Sequence, residues 1–365
     1  MGKDELDRWL QMLADAKGSD LHVKAGSPPR MRVNGDLVKL VDESVVTSED
    51  TAAMAAVVMR PPVAEAFEQN HEVDCAYAIA GLGRFRINVF RQRGSVAMVI
   101  RRVLTVAPTF EELGLPEVVA RLASEQRGMV LVTGPTGSGK TTTLAAMIDF
   151  INRHRECHVV TIEDPIEVLH RDLMASINQR EVGFDTRNFG SAMRAAMRQD
   201  PDVILVGEMR DEETVAAALT AAETGHLVLS TLHTIDAKET ISRIVDFFPA
   251  HQQGQVRVAL AGSLKGTICQ RLVPSADGTS RVAALEVMIV NGRIQGCVVD
   301  PTHSADLSEL IADGEYYGMQ TFDQALAQLY EQGKIDLRGA LVAATNPHDL
   351  KVLLQQRGLV STGIR

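Results

Sequence analysis

Eight residues, GPTGSGKT at positions 134 to 141, satisfy the G-x-x-x-x-G-K-[ST] pattern in full. They follow an apolar run, GMVLVTG, and open a helical stretch from about Lys140, the setting in which this pattern holds phosphate. The glycines let backbone N–H groups close around a β-phosphate at a helix N-terminus. Lys140 then reaches the β- and γ-phosphates, and the Thr141 hydroxyl binds Mg2+. The expected nucleotide set is Gly134, Pro135, Thr136, Gly137, Ser138, Gly139, Lys140, Thr141 and Thr142, with ATP and Mg2+ as its ligands.

Three further stretches carry groups that could act on a bound nucleotide. TIEDPIE, residues 161 to 167, ends a strand in Glu163 and Asp164, with Glu167 after the proline. Open α/β sheets bind ligands at the carboxyl ends of their strands, so Glu163 is expected in the crevice on a strand next to the P-loop strand. Glu167 stays open between that role and a solvated acidic loop. VILVG runs into Glu208, where most such strands end in aspartate. The extra methylene gives Glu208 the reach to an attacking water, with Gly207 expected to let the chain turn; the alternative is a strand-end cap. GHLVLSTLHT places His226 before a strand and His233 beyond it, an odd number of residues apart and so not on one strand face. His233 is expected to contact a γ-phosphate; for His226 a structural and a catalytic role are equally open.

Arg84, Arg86, Arg91, Arg93, Arg101 and Arg102 crowd an earlier segment. A solvated strand face, a nucleic-acid surface and arginine fingers donated across a domain or subunit boundary would all use such residues. No aromatic stacking platform accompanies them, and the net charge of -10 opposes nonspecific phosphate-backbone binding. No nucleic-acid partner is expected, and fingers are assigned to Arg86 and Arg101, with the solvated face as the alternative.

The elements that must position these groups fall into two patterns. Leu6, Trp9, Leu10 and Leu13 recur at helical spacing, and LHVKAG, RMRVNG and DLVKL follow as short strands with an Asn34-Gly35 hairpin signal. Alternation of Phe85, Ile87 and Val89 against Arg84, Arg86 and Asn88 predicts a strand of the same antiparallel sheet. After LTVAPTFEELGLPEVV, where Thr109 is placed to cap a new helix, buried apolar strands interleave with helices, the sign of βαβ units and a mostly parallel sheet. Helices are expected around Phe189 to Arg198 and from Glu212 to Glu223, and the C-terminal stretch reads as helical, with a Thr321/Gln324 capping box and Gly333 as a stop. The predicted domains are residues 1–103, a linker at 104–116, an ATPase core at 117–300 and a helical region at 301–365.

Hydrophobic content of 45% and charged content of 23% are those of a soluble globular protein. Cys75, Cys157, Cys269 and Cys297 are scattered, which predicts neither a zinc site nor a disulfide framework and points to a reducing cytosol. No run approaches the roughly 18 apolar residues of a membrane span, so membrane contact is expected only through a partner.

With these residues assembled, the chain resembles the secretion ATPase superfamily and, within it, the type IV pilus retraction ATPases of the PilT/PilU family. The match spans nearly the whole length, on GSDLHVKAG (18–26), GRFRINVF (83–90), GPTGSGKT, TIEDPIE, REVGFDT (180–186), PDVILVGEMRDEET (201–214), AETGHLVLSTLHT (222–234) and GMQTFDQAL (318–326). The resemblance implies an α/β protein with a PAS-like N-terminal domain followed by a RecA-like P-loop ATPase domain. It implies a homohexamer that hydrolyses ATP to drive pilus retraction and twitching motility. Such a motor works from the cytoplasm, peripherally at the inner membrane, on a platform protein and indirectly on the pilin machinery, and a paralogous retraction ATPase is a further expected partner. It makes Glu208 the group that polarises water, Glu163 a carboxylate of the Mg2+ and water shell, and His226 and His233 the histidines of the family's His box. Arg86, Arg101 and Arg102 become phosphate contacts. The sequence lacks the tetracysteine motif usual in assembly and secretion members, which favours retraction. It also lacks the A-I-R-x-G motif typical of PilT, reading LSELIADGEYYGMQTFDQAL there, so a PilU-like accessory ATPase stays open beside an autonomous motor, and an assembly or secretion ATPase of the same superfamily stands as the other alternative.

Overall fold

The computed structural model describes residues 2–33 and 35–360. By its contacts the chain divides into residues 1–106 with 167–169, and residues 107–166 with 170–365.

In the first unit, helix α1 (Lys3–Asp15) buries Leu6, Trp9, Leu10 and Leu13, the stripe its spacing predicts. Strands β1 (Asp20–Lys24), β2 (Arg30–Val33) and β3 (Asp36–Lys39) follow. β2 and β3 pair antiparallel; Asn34 of the expected turn lies outside the described residues. Helices α2 (Ser48–Val58) and α3 (Pro61–Asn70) precede β4 (Glu72–Ile79), β5 (Gly83–Gln92) and β6 (Ser95–Arg102). All six strands form one antiparallel sheet in the order β3-β2-β1-β6-β5-β4. Phe85, Ile87 and Val89 turn into a core with Leu21, Met98 and Ile100, so the arginines between them must take the other face. Residues 167–169 join this unit through a parallel bridge of Leu104 to Val168.

The second unit opens with a difference from expectation. Thr109 and Glu112 do form a reciprocal cap, but it closes only a turn, and helix α4 (Glu117–Ala123) starts after Pro116. Gly114, with φ of 64°, takes the left-handed conformation that ends the turn. Then come β7 (Gly128–Thr133), α5 (Lys140–His154), β8 (His158–Glu163), β9 (Ser176–Glu181), α6 (Phe189–Ala196), β10 (Val203–Val206), α7 (Glu212–Glu223) and β11 (Leu227–Leu232). Helices α8 (Ala237–Asp246) and α9 (Ala250–Ser263) lead into a long hairpin, β12 (Leu264–Pro274) and β13 (Arg281–Ile289). Helices α10 (Gly292–Val299), α11 (Leu307–Ala312), α12 (Phe322–Glu331), α13 (Leu337–Ala343) and α14 (Pro347–Gln356) complete it. The capping box predicted at Thr321 and Gln324 starts α12.

The second sheet runs β13-β12-β7-β11-β10-β8-β9, parallel except for the antiparallel edge strand β13. Its central strands are apolar on both faces because both are covered. Met129, Leu131, Ile204 and Val206 pack into one core, and Val130, Val132, Val203 and Leu205 into another. In a sheet so covered the loops at the carboxyl ends of the strands are where ligands bind, and those ends carry the candidate site.

Candidate functional site

At the carboxyl edge of this sheet, β7 is buried along its whole length and runs directly into the glycine-rich loop. Gly134, Gly137 and Gly139 have φ of 143°, 79° and 91°, which L side chains rarely adopt. A Cβ on Gly134 would stand 2.4 Å from the Gln270 carbonyl oxygen, and one on Gly139 2.7 Å from Gln270 Nε2. Helix α5 starts with Gly139 as N-cap and no side-chain cap, so its first N–H groups are left for an anion. The Ser138 hydroxyl is buried without a hydrogen-bond partner in the loop. Lys140 donates to the carbonyls of Gly134 at 2.7 Å and Pro135 at 3.1 Å, which holds the loop wrapped around its ammonium. Burial pushes this ammonium below the ordinary lysine value, and the charge of Glu208 pulls the other way.

Gln270 belongs to none of the sequence motifs. It is 3% exposed in the middle of β12, and its Oε1 accepts from the Thr143 hydroxyl at 2.8 Å. That bond ties the first turn of α5 to the neighbouring strand. A polar residue inside an apolar strand was the available signal, but only strand pairing shows what it supports.

Strand order decides which acids meet. β11 and β10 lie between β7 and β8, so β8 is not the neighbour of the P-loop strand, contrary to expectation. Glu163, at the end of β8, accepts from the Thr161 hydroxyl at 2.6 Å and from Gln179 at 3.1 Å. Glu208 follows β10, one strand closer to β7, and His233 follows β11, the strand between them.

The backbone around Glu208 is anchored on both sides. The Gly207 N–H donates to Ile162 at 2.7 Å, the Gly207 carbonyl accepts from the Thr231 hydroxyl at 2.7 Å, and the Met209 N–H donates to Thr231 at 3.2 Å. The chain bends at Gly207, as expected, but without a left-handed conformation. A Cβ there would stand 3.2 Å from the Ile162 carbonyl, so a close approach of two strand ends is what favours glycine. The Glu208 side chain is 18% exposed; His233 Nε2 lies 3.1 Å from Oε1, and Arg210 Nη2 lies 2.7 Å from Oε2. Burial alone would push this carboxyl up, but the Arg210 hydrogen bond and the charges of His233 and Arg210 outweigh it and hold the group below its ordinary value. The result is an ionised carboxylate near a buried ammonium, on the edge that carries the phosphate loop.

His226 is not brought to this edge. It precedes β11 and so sits at the amino end of the strand that His233 follows, where its Nδ1 lies 3.0 Å from the Ala221 carbonyl at the end of α7. The arginines divide in the same way. Arg86 and Arg101 are register partners on one face of the first sheet, whereas Arg102 pairs with the core residue Phe85 on the other. Arg101 donates to Asp20 at 2.8 Å, Arg86 lies 3.8 Å from Asp74, and Arg102 donates to the Ala14 carbonyl at 3.4 Å.

The residues present fit a nucleotide phosphate: a cradle that Cβ atoms would fill, an unpartnered buried hydroxyl and an uncapped helix start. Among the described residues no three His, Cys, Asp or Glu side chains converge on a metal position. A site with so few protein carboxylates suits Mg2+, which keeps several waters and is held by one or two protein groups together with substrate phosphates. The four cysteines are free.

Residues 4–318 match the family described as type II/IV secretion system protein. The chain is 42% identical to the type IV pilus ATPase PilU of Pseudomonas aeruginosa, covering 96% of this chain and 91% of that protein. It is 43% identical to the type IV pilus retraction ATPase PilT of the same organism, covering 94% and 99%. A crystal structure of the pilus retraction motor PilT with bound ADP superposes with a TM-score of 0.86 at 45% identity, covering 94% of this chain and 98% of that one.

Proposed function

The chain belongs to the family of type II/IV secretion system proteins, and on that premise we propose that it is the ATP-hydrolysing motor of type IV pilus retraction. The carrying observation is the joining of a complete phosphate cradle to an anchored, ionised Glu208 on one sheet edge. Full-length similarity to a retraction ATPase supports the biological role.

In this reading the backbone N–H groups of the loop and the Lys140 ammonium hold the β- and γ-phosphates. Glu208 takes the proton of the attacking water as its oxygen bonds to the γ-phosphorus, and the bond to the bridging oxygen breaks with its electron pair leaving on ADP. His233, beside Glu208, reports on the γ-phosphate. Thr141 and Glu163 would hold Mg2+, whose charge would offset that building on the phosphate oxygens. Arg86, Arg101 and Arg102 supply further phosphate contacts, Arg86 and Arg101 from one sheet face. His226 caps α7 and shapes the strand end from the far side. Residues 1–103 form a PAS-like domain, 104–116 a linker, 117–300 a RecA-like core and 301–365 its helical extension. The motor is a homohexamer at the cytoplasmic face of the inner membrane, working on a platform protein; no helix among the described residues is long and apolar enough to cross a membrane.

Steady-state ATP turnover tests the site. Lys140→Ala should abolish nucleotide binding, and Glu208→Gln should keep binding while lowering kcat by about 10² to 10⁴. Turnover that survives Glu208→Gln would remove the assignment of the base. A second reading, a PilU-like accessory ATPase, is favoured by the sequence at 307–326 and by a PilU identity equal within 1% to that of PilT. Slow turnover with tight nucleotide binding, and full motility from a paralogue alone, would select it.

A further inference from the structure

We propose that Arg210 is a positioning residue for ATP hydrolysis, acting through Glu208 by holding one carboxylate oxygen so that the other faces the attacking water. This rests on Glu208 being the base, as proposed above.

The backbone bends at Gly207 after β10 and is fastened at Gly207 and Met209. Met209 is 1% exposed in the core, so the side chains of Glu208 and Arg210, on either side of it, both point away from that core. The i, i+2 spacing lets the guanidinium fold back onto Oε2 at 2.7 Å. An ionised carboxylate has about four lone-pair positions, and Arg210 and His233 occupy one on each oxygen. Two remain, in directions set by those partners. A free glutamate side chain rotates about its terminal bond; one gripped at Oε2 does not.

Arg210 also does chemical work on its neighbour. The charged and titratable groups around Glu208 are Arg210 on its own loop, His233 after β11 and Lys140 on α5, and Asp164 after β8 adds its charge on Arg210. Burial opposes the ionised carboxylate, and the Arg210 hydrogen bond heads the opposing causes. Without that bond the carboxyl moves up and holds a proton at pH values where the wild type does not. A base that already holds a proton cannot accept one, so activity is lost as pH falls through the raised value. Arg210 is 60% exposed, so solvent screens its charge and the expected movement is about one unit, a tenfold change in ionised fraction below the new value.

The test is kcat/KM for ATP as a function of pH in the full-length protein carrying Arg210→Ala, Arg210→Gln or Arg210→Lys, with ADP binding and thermal midpoint as checks that the fold and the loop persist. Arg210→Ala should bring the acid limb up by about one unit and lower kcat across the profile. Arg210→Gln, which keeps a donor and loses the charge, should raise the limb while recovering part of kcat. Arg210→Lys should restore the limb. An unmoved acid limb in both Arg210→Ala and Arg210→Gln, in protein that binds ADP normally, overturns the proposal. If Glu208→Gln itself retains turnover, the assignment of the base has failed instead, and the two outcomes are separable.

Discussion

Gly134 shows how tightly one residue can constrain this site. Its φ of 143° and the Gln270 carbonyl 2.4 Å from a built Cβ leave no room for a methyl group. Backbone strain of about 1–3 kcal/mol corresponds to a factor of about 5 to 150 in a binding constant, and the clash with the Gln270 carbonyl adds to it. Gly134→Ala should therefore weaken ADP binding by at least about tenfold, measured by calorimetry, while Gly137→Ala, where space is open around the Cβ and only φ is unfavourable, should cost less. Equal losses at the two positions would show that conformation, rather than the contact with β12, sets the requirement.

Among the elements, the hairpin β12–β13 supports two parts of the site at once. β12 lies under the phosphate loop through Gln270, and Glu286 on β13 accepts from the Ala237 N–H at 2.9 Å, at the start of the helix that follows His233. Burial pushes the Glu286 carboxyl up to about 7, and the Ala237 N–H and Arg271 only partly compensate. Because the folded value lies above the ordinary 4.5, the stability that the protonated group contributes is full below pH 4.5 and is lost as pH rises through 7. Glu286→Gln keeps an acceptor for Ala237 and removes the charge. It should raise the thermal midpoint by about 2 °C or more at pH 8 and leave it unchanged at pH 4.5. A variant less stable than wild type at pH 8 would mean that the carboxylate is stabilised in the fold after all.

For the whole molecule, the proposed retraction role makes a prediction in cells with a clear sign. Deleting the gene should leave more surface pili and no twitching, whereas loss of an assembly motor leaves cells bald. A Lys140→Ala copy should fail to restore movement although the protein is present. The purified protein should have the native mass of six copies, and its turnover per subunit should fall on dilution below the concentration at which that assembly holds. Bald cells would turn the assignment toward assembly or secretion.

Local chemistry was legible in the chain itself. Backbone freedom at glycine, the donors of a helix start and the Lys140-Thr141 pair act within a few residues of one another, so GPTGSGKT could be read without a fold. The same holds for the α1 stripe, the arginine alternation on β5 and the Thr321/Gln324 cap, each governed by a local period or a local hydrogen bond. Strand order is not local. It is set by which faces bury together, and it alone put β11 and β10 between β7 and β8, brought His233 to Glu208 and left Glu163 further out. Strand pairing also set Arg101 opposite Arg86 and assigned Gln270, more than a hundred residues away in sequence, to the base of the phosphate loop. The i, i+2 relation of Glu208 and Arg210 was present in GEMRD throughout. It acquired meaning only when Met209 entered the core and turned both charged groups the same way.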